Sequence, residues 1–279
     1  MGVVLGGLAF GEGPRWHDGA LWLSDMHRHR VLRVDGDEVT TVLRHDSPVS
    51  GLGWLPDGRL LAVAMAGAVL RLDPGGVVEH ADVRALAPHG VNDMISHPGG
   101  WSYVGQFGYD RHGGGRPVPS ALLRVGADGR VDAVADDLLV ANGMGLTADG
   151  SRLLVAESAG NRIRSFTVGP GGDLTASAVW AELPPGHAPD GMCLDAEGAA
   201  WVAAVTAGAF IRVRAGGEVS DRLPVEDGRR AIACVLGGDD RRTLFQLTAT
   251  TLGDAEPSLA AMDARVDAVQ VAVPGEGRP

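Results

Sequence analysis

Polar side chains recur at one place in a pattern that repeats along the chain. Short turns of Asp, Gly and Pro follow brief apolar runs at a spacing of roughly 40 to 50 residues, which is typical of four-stranded propeller blades. Counting back six or seven residues from most of these turns reaches Glu12, Ser50, Asn92, Asn142, Asp190 and, in the sixth repeat, the Ala233-Cys234 pair. If each repeat is one blade, these positions are related by rotation about a single axis. Oxygen atoms of Glu12, Asn142 and Asp190 would then meet at one point, which predicts a metal site.

The three residues Glu12, Asn142 and Asp190 set the chemistry of this predicted site. Carboxylate and amide oxygens favour a hard cation, so we expect one divalent ion, with Ca²⁺ preferred and Mg²⁺, Mn²⁺ or Zn²⁺ as alternatives. Three protein ligands leave positions for water and substrate, as in catalytic metal sites. Each residue precedes a glycine, and a single Asn-Gly or Asp-Gly pair is also an ordinary turn cap. A turn cap has no reason to keep one offset across repeats, so the set favours metal binding.

Sets of β-rich runs are expected to position these residues. In the first repeat the runs are Ala20 to Ser24, Arg30 to Val34 and Glu38 to Leu43, and later repeats copy the arrangement. The sixth repeat supplies three strands, and Val3-Val4-Leu5 provides a fourth, so the two ends of the chain should pair and close the ring. We therefore predict an all-β fold, a six-bladed β-propeller that forms a single domain over residues 1–279.

Three segments stand outside the repeated pattern. Gln106 to Ser120 and Leu252 to Ala264 are the longest irregular stretches. The first is expected to be an exposed loop over one end of the ring, either a functional lid or a plain surface insertion. The run His27-Arg28-His29-Arg30 is expected at a solvated hairpin tip.

Composition limits the classes of partner. The 279 residues carry a net charge of -11, which argues against nucleic acid because phosphate binding needs a basic face. No apolar run of about 20 residues occurs, so no membrane span is expected. The start of the chain lacks the basic residues and long apolar run of a secretory signal, which indicates a cytoplasmic protein. Cys193 and Cys234 lie in apolar runs and are interpreted as buried free thiols, with a disulfide as the alternative.

The chain resembles the gluconolactonase/regucalcin (senescence marker protein) family. The matching stretches follow the family's order along nearly the whole chain: Gly11-Glu12-Gly13-Pro14-Arg15-Trp16, Asn92-Asp93, Asn142-Gly143-Met144 with Asp149-Gly150, Pro189-Asp190-Gly191 with Asp195-Ala196-Glu197-Gly198, and Leu236-Gly237-Gly238 before Thr243-Leu244-Phe245. The resemblance implies a six-bladed propeller with one divalent metal in its channel. It also implies hydrolysis of a lactone, a cyclic ester, to a hydroxy acid.

For individual residues, the resemblance implies metal ligation by Glu12, Asn142 and Asp190, with Asp190 also acting as the general base. It implies that Asn92 contacts substrate or a metal-bound water. One departure concerns the substrate: sugar-lactone members typically carry Arg two residues before the Asn of the third blade, where this chain has Gly90. Because a donor of several hydrogen bonds is missing there, we expect a bulkier or less hydroxylated substrate than simple gluconolactone.

Four further residues are candidate substrate contacts. Phe107 and Tyr109 precede the long loop and are expected to wall a pocket, with packing inside the third blade as the alternative. His89 borders the Asn92 strand and His187 lies three residues before Asp190, and for each an exposed loop position is the alternative. The expected partner is a small-molecule lactone or ester, bound by a monomer or a small homo-oligomer.

Two other functions stay open at this point. One is a non-hydrolytic propeller enzyme of secondary metabolism, comparable to strictosidine-synthase-like proteins, whose channel would hold a larger apolar substrate. The departure at Gly90 favours this function, whereas the predicted metal ligands weigh against it. The other is a metal-binding or interaction scaffold without catalysis, since a propeller fold alone does not make an enzyme. Chelator-sensitive hydrolysis of lactones would separate the metal-dependent lactone hydrolase from both.

Overall fold

Four-stranded antiparallel sheets repeat along the chain. The structure is a computed structural model that describes residues 2–111 and 113–277. Its strands, in chain order, are β1 (Gly2–Leu8), β2 (Gly11–His17), β3 (Ala20–Asp25), β4 (Arg30–Asp35), β5 (Glu38–Arg44), β6 (Val49–Trp54), β7 (Leu60–Ala64), β8 (Ala68–Asp73), β9 (Gly76–Asp82), β10 (Val91–His97), β11 (Trp101–Gln106), β12 (Ser120–Gly126), β13 (Val131–Leu138), β14 (Ala141–Leu146), β15 (Arg152–Glu157), β16 (Arg162–Val168), β17 (Leu174–Glu182), β18 (Pro189–Leu194), β19 (Ala200–Ala204), β20 (Ala209–Val213), β21 (Val219–Pro224), β22 (Arg230–Gly237), β23 (Thr243–Ala249) and β24 (Ala264–Gln270). Two helical segments join them, a 3-10 turn at Met26–Arg28 and α1 at Ala255–Ala261.

The sheets form a closed ring of six blades. From β2 to β21, each four consecutive strands form one sheet in sequence order, whereas the sixth sheet combines β22, β23 and β24 with β1. The pairing of Gly2 with Ala268 and of Leu8 with Ala264 joins the two ends of the chain. The first strands of neighbouring blades contact one another around the whole ring, including β22 with β2. The predicted six-bladed β-propeller, closed by its N- and C-terminal strands, is confirmed.

The hydrophobic core is divided into layers between adjacent blades. Each of six buried clusters draws its side chains from two neighbouring sheets, so no single core fills the centre of the ring. The second strands of the blades lie inside these layers, and β7 and β19 are buried at every position. Strands that are covered on both faces read as continuous apolar runs, as Leu60 to Ala64 does in the sequence. The layers leave the axis of the ring free for polar side chains.

Two of the local expectations are wrong. Part of the irregular stretch from Leu252 to Ala264 is the helix α1, which follows Asp254 and ends at Met262 in the left-handed conformation. Seven residues are too few to show an amphipathic period, although alanine and leucine favour helix. His27 does not lie at a solvated hairpin tip but is buried in the 3-10 turn, where its Nε2 is 2.8 Å from the carbonyl oxygen of Gly253. The segment before α1 covers this turn.

Two further observations concern cysteines and membranes. Cys193 and Cys234 are both buried and both free, which agrees with the first interpretation of the sequence. They belong to the apolar layer between the fifth and sixth blades. Within residues 2–111 and 113–277, no helix has the length and apolar character needed to cross a membrane.

Candidate active site

A β-bulge interrupts the innermost strand of every blade at an equivalent place. The register shifts lie between Glu12 and Arg15, Val49 and Leu52, Val91 and Met94, Ala141 and Met144, Pro189 and Met192, and Ala231 and Ala233. A bulge bends its strand and re-aims the side chains beside it, and bulges are frequent next to active sites. The repeated bulge explains why residues at one sequence offset direct their side chains towards the same axis.

The bulges show that one of the six positions predicted to be equivalent, the one in the sixth blade, is a different residue. Strand pairing makes residues 12, 50, 92, 142 and 190 equivalent, as the sequence predicts, but the sixth position is Ile232 rather than the Ala233-Cys234 pair. The count from the turn fails because β22 continues one residue further past this position than β14 or β18 does. The sixth blade therefore contributes an apolar side chain to the ring of equivalent positions.

One cavity of about 230 Å³ gathers four of the five polar members of this ring, and Ser50 is not among its lining residues. Glu12, Asn92, Asn142 and Asp190 all line it, although they come from four different blades. Apolar side chains and a few residues of the connecting loops complete the wall: Phe10, Met26, Met65, Phe107, Tyr109, Arg111, Val140, Ser158, Ala188, Val205, Leu252 and Gly253. The arrangement is a small, mostly apolar chamber with a few convergent polar groups, which is typical of small-molecule sites.

The amide of Asn142 is held in one orientation. The Ser158 hydroxyl donates its proton to the carbonyl oxygen of Pro189 at 2.7 Å. The hydroxyl oxygen can therefore only accept from Asn142, whose Nδ2 lies 3.2 Å away. Because the amide nitrogen faces Ser158, the amide oxygen points the other way. Asn142 Oδ1 and Asp190 Oδ1 are both buried without a hydrogen-bond partner among the residues described.

Two carboxyl groups are crowded into the same cavity. Burial raises the pKa of Glu12 well above its ordinary value, and the nearby charges of Asp190 and Asp93 raise it further. Burial and the charge of Asp93 raise the pKa of Asp190 to about 7, although the Asn142 amide and the Arg111 guanidinium act in the opposite direction. Asp190 keeps part of its surface open to the cavity. Two such carboxyls and two unpartnered oxygens form a site that a cation would stabilise.

The donor set determines which ion fits. No group of three or more His, Cys, Asp and Glu side chains in the described ranges is placed to hold a metal, so a site built on Glu12 and Asp190 needs another kind of oxygen, and that of the Asn142 amide is buried without a hydrogen-bond partner. The oxygens of Glu12, Asn142 and Asp190 suit a hard divalent cation. The residues present therefore fit the predicted group, because the orphaned oxygens of Asn142 and Asp190 gain a partner when a cation enters.

Small residues let these side chains reach the cavity. A Cβ on Gly143 would lie 2.3 Å from the carbonyl oxygen of Asp190, and one on Gly191 would lie 2.3 Å from the Cβ of Ala233. Each glycine therefore allows the innermost strand of one blade to approach that of the next. The Asn142-Gly143 and Asp190-Gly191 pairs lie inside β14 and β18, so the alternative that they cap turns is wrong. Their glycines serve the close packing of strands.

The remaining predicted residues divide into three groups. Asn92, Phe107 and Tyr109 line the cavity with the candidate metal ligands. His89 is exposed and lines only a second, outer pocket. His187 is not among the lining residues of either pocket, and its backbone N–H donates to Asn161 Oδ1 at 2.9 Å.

Sequence reasoning missed two polar residues of this region. Ser158, which orients Asn142, follows β15 and carries no mark of the repeat. Arg111 lies in the loop between β11 and β12 and lines both the inner cavity and the outer pocket. A basic residue two positions after the predicted wall residue Tyr109 was the only signal for Arg111, because the path of a long loop does not follow from strand periodicity.

The fold and the cavity define a six-bladed β-propeller that gathers carboxylate and amide oxygens around its axis. The chain belongs to the SMP-30/Gluconolactonase/LRE-like region family, whose model matches residues 10–250. The resemblance to the gluconolactonase/regucalcin family that the sequence motifs carry is thereby confirmed.

Several known proteins resemble this chain over almost its whole length. Pentonolactonase XacC of Haloferax volcanii is 30% identical over 96% of this chain and 92% of its own. The 6-deoxy-6-sulfogluconolactonase of Pseudomonas putida is 26% identical over 96% of this chain and 94% of its own. Among solved structures, a calcium-binding protein, regucalcin, from Agrobacterium tumefaciens superimposes with a TM-score of 0.82 at 22% identity, covering 100% of this chain and 96% of that one.

Proposed function

We propose that the protein is a divalent-metal-dependent hydrolase that opens a lactone to a hydroxy acid, and that its substrate is not simple gluconolactone. The observation that carries this proposal is the convergence of Glu12, Asn92, Asn142 and Asp190 on one partly apolar cavity. Relatives named as lactonases that align along nearly the whole chain support the reaction type.

Glu12, Asn142 and Asp190 would hold the metal ion. Their oxygen atoms favour Ca²⁺, with Mg²⁺, Mn²⁺ and Zn²⁺ as alternatives. A bound divalent ion would polarise the lactone carbonyl and lower the pKa of water. The Ser158 hydroxyl keeps the Asn142 amide oxygen directed away from Ser158 and free for such a ligand.

Asp190 acts as the general base. Its carboxylate accepts a proton from the attacking water, whose oxygen forms a bond to the lactone carbonyl carbon. In the metal-free protein, burial and then the charge of Asp93 raise the pKa of this carboxyl to about 7. Ligation of a cation would lower the pKa again, so activation of the water by the metal would supply most of the driving force. The same group then returns the proton to the ring oxygen as the carbon–oxygen bond of the ring breaks. The product carries one carboxyl and one hydroxyl group.

Asn92 is proposed to bind the reacting part of the substrate. Its amide lines the cavity and can donate a hydrogen bond to the substrate oxygen on which negative charge develops. Such a donor contributes most when it is held rigidly, and the third-blade bulge between Val91 and Met94 fixes the backbone at this point. Asn92 is therefore assigned to stabilisation of the oxyanion rather than to proton transfer.

The identity of residue 90 supports a substrate other than simple gluconolactone. Gly90 adopts a φ of +90°, and a Cβ placed there would lie 2.6 Å from the carbonyl oxygen of Met65. This wall of the outer pocket is therefore built from backbone, with no side chain to donate hydrogen bonds to sugar hydroxyls. We assign recognition of the far end of the substrate to other residues.

The test is chelator-sensitive hydrolysis of a lactone panel. The purified protein is treated with EDTA, and Ca²⁺, Mg²⁺, Mn²⁺ or Zn²⁺ is then returned while proton release from pentono-, hexono-, aliphatic and aromatic lactones is recorded. We expect EDTA to abolish hydrolysis and one or more ions to restore it. The Asp190→Asn variant should lose turnover by orders of magnitude, because the proton acceptor is removed.

Three outcomes would overturn the proposal or part of it. Hydrolysis that survives EDTA would remove the metal. Full turnover by Asp190→Asn would remove the assigned base. A protein that binds Ca²⁺ tightly but opens no lactone would favour a metal-binding scaffold instead.

A further inference from the structure

A second pocket of about 530 Å³ opens directly from the inner cavity. The two share part of their walls, since Met26, Met65, Phe107, Arg111 and Gly253 line both. The inner cavity of about 230 Å³ has room for little more than a small ring. A substrate whose reacting ring lies beside Asp190 would therefore extend any substituent into the outer pocket.

Arg111 stands at the junction of the two spaces. Its guanidinium carbon lies 4.5 Å from the centre of the Phe107 ring. It forms no ion pair or hydrogen bond with another described residue, whereas Arg124, Arg212 and many other arginines of this protein are paired with carboxylates.

This arrangement leaves the hydrogen-bond donors of Arg111 available. A guanidinium over an aromatic ring is attracted to the ring face by its charge, and this contact uses none of its N–H groups as donors to an oxygen acceptor. Those donors match the paired oxygens of a carboxylate, phosphate or sulfonate. The rest of the outer pocket is compatible with such a ligand, since the exposed side chain of His89 lines it and the wall at Gly90 is backbone. The carboxylate there, Asp110, accepts the N–H of Gly113 at 2.8 Å.

The protein carries a net charge of -11, so a positive side chain without an ion pair inside the functional cleft stands out from the rest of the molecule. A protein with this charge repels anions unless a dedicated group binds them. We propose that the natural substrate is a lactone with an anionic group outside its ring, and that Arg111 binds this group at the entrance to the outer pocket. This inference rests on the proposed lactone hydrolysis and names the substrate class of the same site.

Paired lactones that share one sugar configuration and differ in the charge of the terminal group test this inference. Gluconolactone is compared with the same lactone phosphorylated on its terminal carbon, and glucono-1,4-lactone with the 1,4-lactone of glucaric acid. For the wild-type protein we expect kcat/KM to be at least about tenfold higher for the anionic member of each pair, chiefly through a lower KM, because Arg111 binds ground state and transition state alike.

Two substitutions at Arg111 and one matched control identify the residue responsible. Arg111→Met keeps an unbranched apolar side chain but removes the guanidinium, and should reduce the anionic-to-neutral ratio of kcat/KM towards one. Arg111→Lys should retain part of the ratio. Arg116→Met removes the same charge from an exposed position in the same loop that lines neither pocket, and should leave the ratio as in the wild type. A purely structural role for Arg111 would lower both rates and leave their ratio unchanged.

A binding measurement separates this inference from the proposed reaction. Calorimetry of the Ca²⁺-loaded protein with gluconate and with phosphogluconate reports anion recognition without turnover. If no lactone is hydrolysed but phosphogluconate binds more tightly and this preference disappears in Arg111→Met, the reaction is wrong and the anion site is right. If lactones are hydrolysed with equal preference for neutral and anionic members, or with a preference for apolar-tailed lactones, the reaction stands and the inference is overturned.

Discussion

Arg15 and Asp93 form a buried ion pair next to the candidate metal ligands. The Arg15 Nη2 lies 3.0 Å from Asp93 Oδ1, and the two side chains are only 5% and 4% exposed. Arg15 also donates to the carbonyl oxygens of Pro14 and Met94, and Asp93 accepts the N–H of Met94 at 2.8 Å. These bonds explain why Asp93, although it neighbours Asn92, does not line the cavity. They also place one positive charge near a cluster of carboxyls.

Removing Arg15 should therefore destabilise the protein strongly. Arg15→Met leaves Asp93 buried and unpaired, and breaking a buried pair in this way costs about 3 to 5 kcal/mol. The free energy of unfolding is measured by denaturation with urea. Arg33→Met is the matched control, because Arg33 pairs with Asp35 at 2.7 Å on the surface, with 32% and 51% exposure, and an exposed pair is worth about 1 kcal/mol or less.

A second variant keeps this prediction falsifiable if Arg15→Met fails to fold. Asp93→Asn combined with Arg15→Met removes both charges and should recover part of the lost stability. Equal losses for Arg15→Met and Arg33→Met would mean that the buried pair adds nothing beyond a surface one.

Ser158 is expected to control metal affinity without touching the metal. In Ser158→Ala the Asn142 amide loses the acceptor of its Nδ2 and is free to rotate, so its oxygen is no longer held towards the cavity. Loss of such an orienting partner typically weakens metal binding by about 10- to 100-fold. Calorimetric titration with Ca²⁺ measures the change. Ser151→Ala, an exposed serine at the turn before β15, is the control and should bind Ca²⁺ as the wild type does. Unchanged affinity in Ser158→Ala would separate Asn142 from the metal.

The sequence predicted the ring and the convergence at its axis because a propeller repeats one strand pattern at a nearly constant interval. Glu12, Asn92, Asn142 and Asp190 keep the same position relative to their bulges, so a count along the chain is enough to find them. The bulge itself was not predicted, although it is what directs these side chains.

Residues outside this repeated position could not be found in the same way. Ser158 acts through a hydroxyl contact 16 residues from Asn142, and such a contact leaves no periodic mark. Arg111 reaches the site from a long loop whose path depends on packing against Phe107. Helix α1 is shorter than the window over which helical periodicity becomes visible.

The raised carboxyl pKa values predict that metal binding releases protons. Below about pH 7 Asp190 is partly protonated in the metal-free protein, and Glu12 likewise has a raised pKa. Both must ionise to bind a cation, so Ca²⁺ affinity should rise as the pH increases from 5 through about 7. Calorimetry in buffers of different ionisation enthalpy counts the protons released. We expect proton release at pH 6 and a smaller release at that pH in Asp190→Asn. A constant affinity over this range would contradict the assignment.

The raised pKa of Asp190 also determines how the stability of the metal-free protein depends on pH. Because the folded-state pKa of Asp190 lies above its unfolded value, its contribution is fully favourable below about pH 4 and is lost as pH rises through about 7. Metal-free Asp190→Asn should therefore match the wild type near pH 4 and exceed its stability at pH 8 by on the order of 2 kcal/mol, allowing for the part of the carboxyl that faces the cavity. Thermal unfolding in EDTA measures both. If the stability of the wild type relative to Asp190→Asn increased as the pH rises, the assigned direction of the Asp190 pKa shift would be wrong.

A methyl group at Gly143 should disturb the site through the backbone. The added Cβ would lie 2.3 Å from the Asp190 carbonyl oxygen and 2.7 Å from the Met192 nitrogen, both of which belong to β18. Neither atom can rotate away, so the fourth and fifth blades must separate locally, and overpacking of this kind costs about 1 to 3 kcal/mol. Because Asn142 and Asp190 lie on the two strands that are forced apart, Ca²⁺ affinity should fall together with stability.

Gly75→Ala provides the control for Gly143→Ala. A Cβ at Gly75 would meet no atom within 4 Å, so both stability and Ca²⁺ affinity should stay close to the wild type. If Gly143→Ala lost stability but bound Ca²⁺ normally, the distance between β14 and β18 would not govern the ion, and Asn142 and Asp190 would not share it. A parallel fall in both measurements, absent in Gly75→Ala, is the result expected if the close approach of these two strands sets the spacing of the ligands.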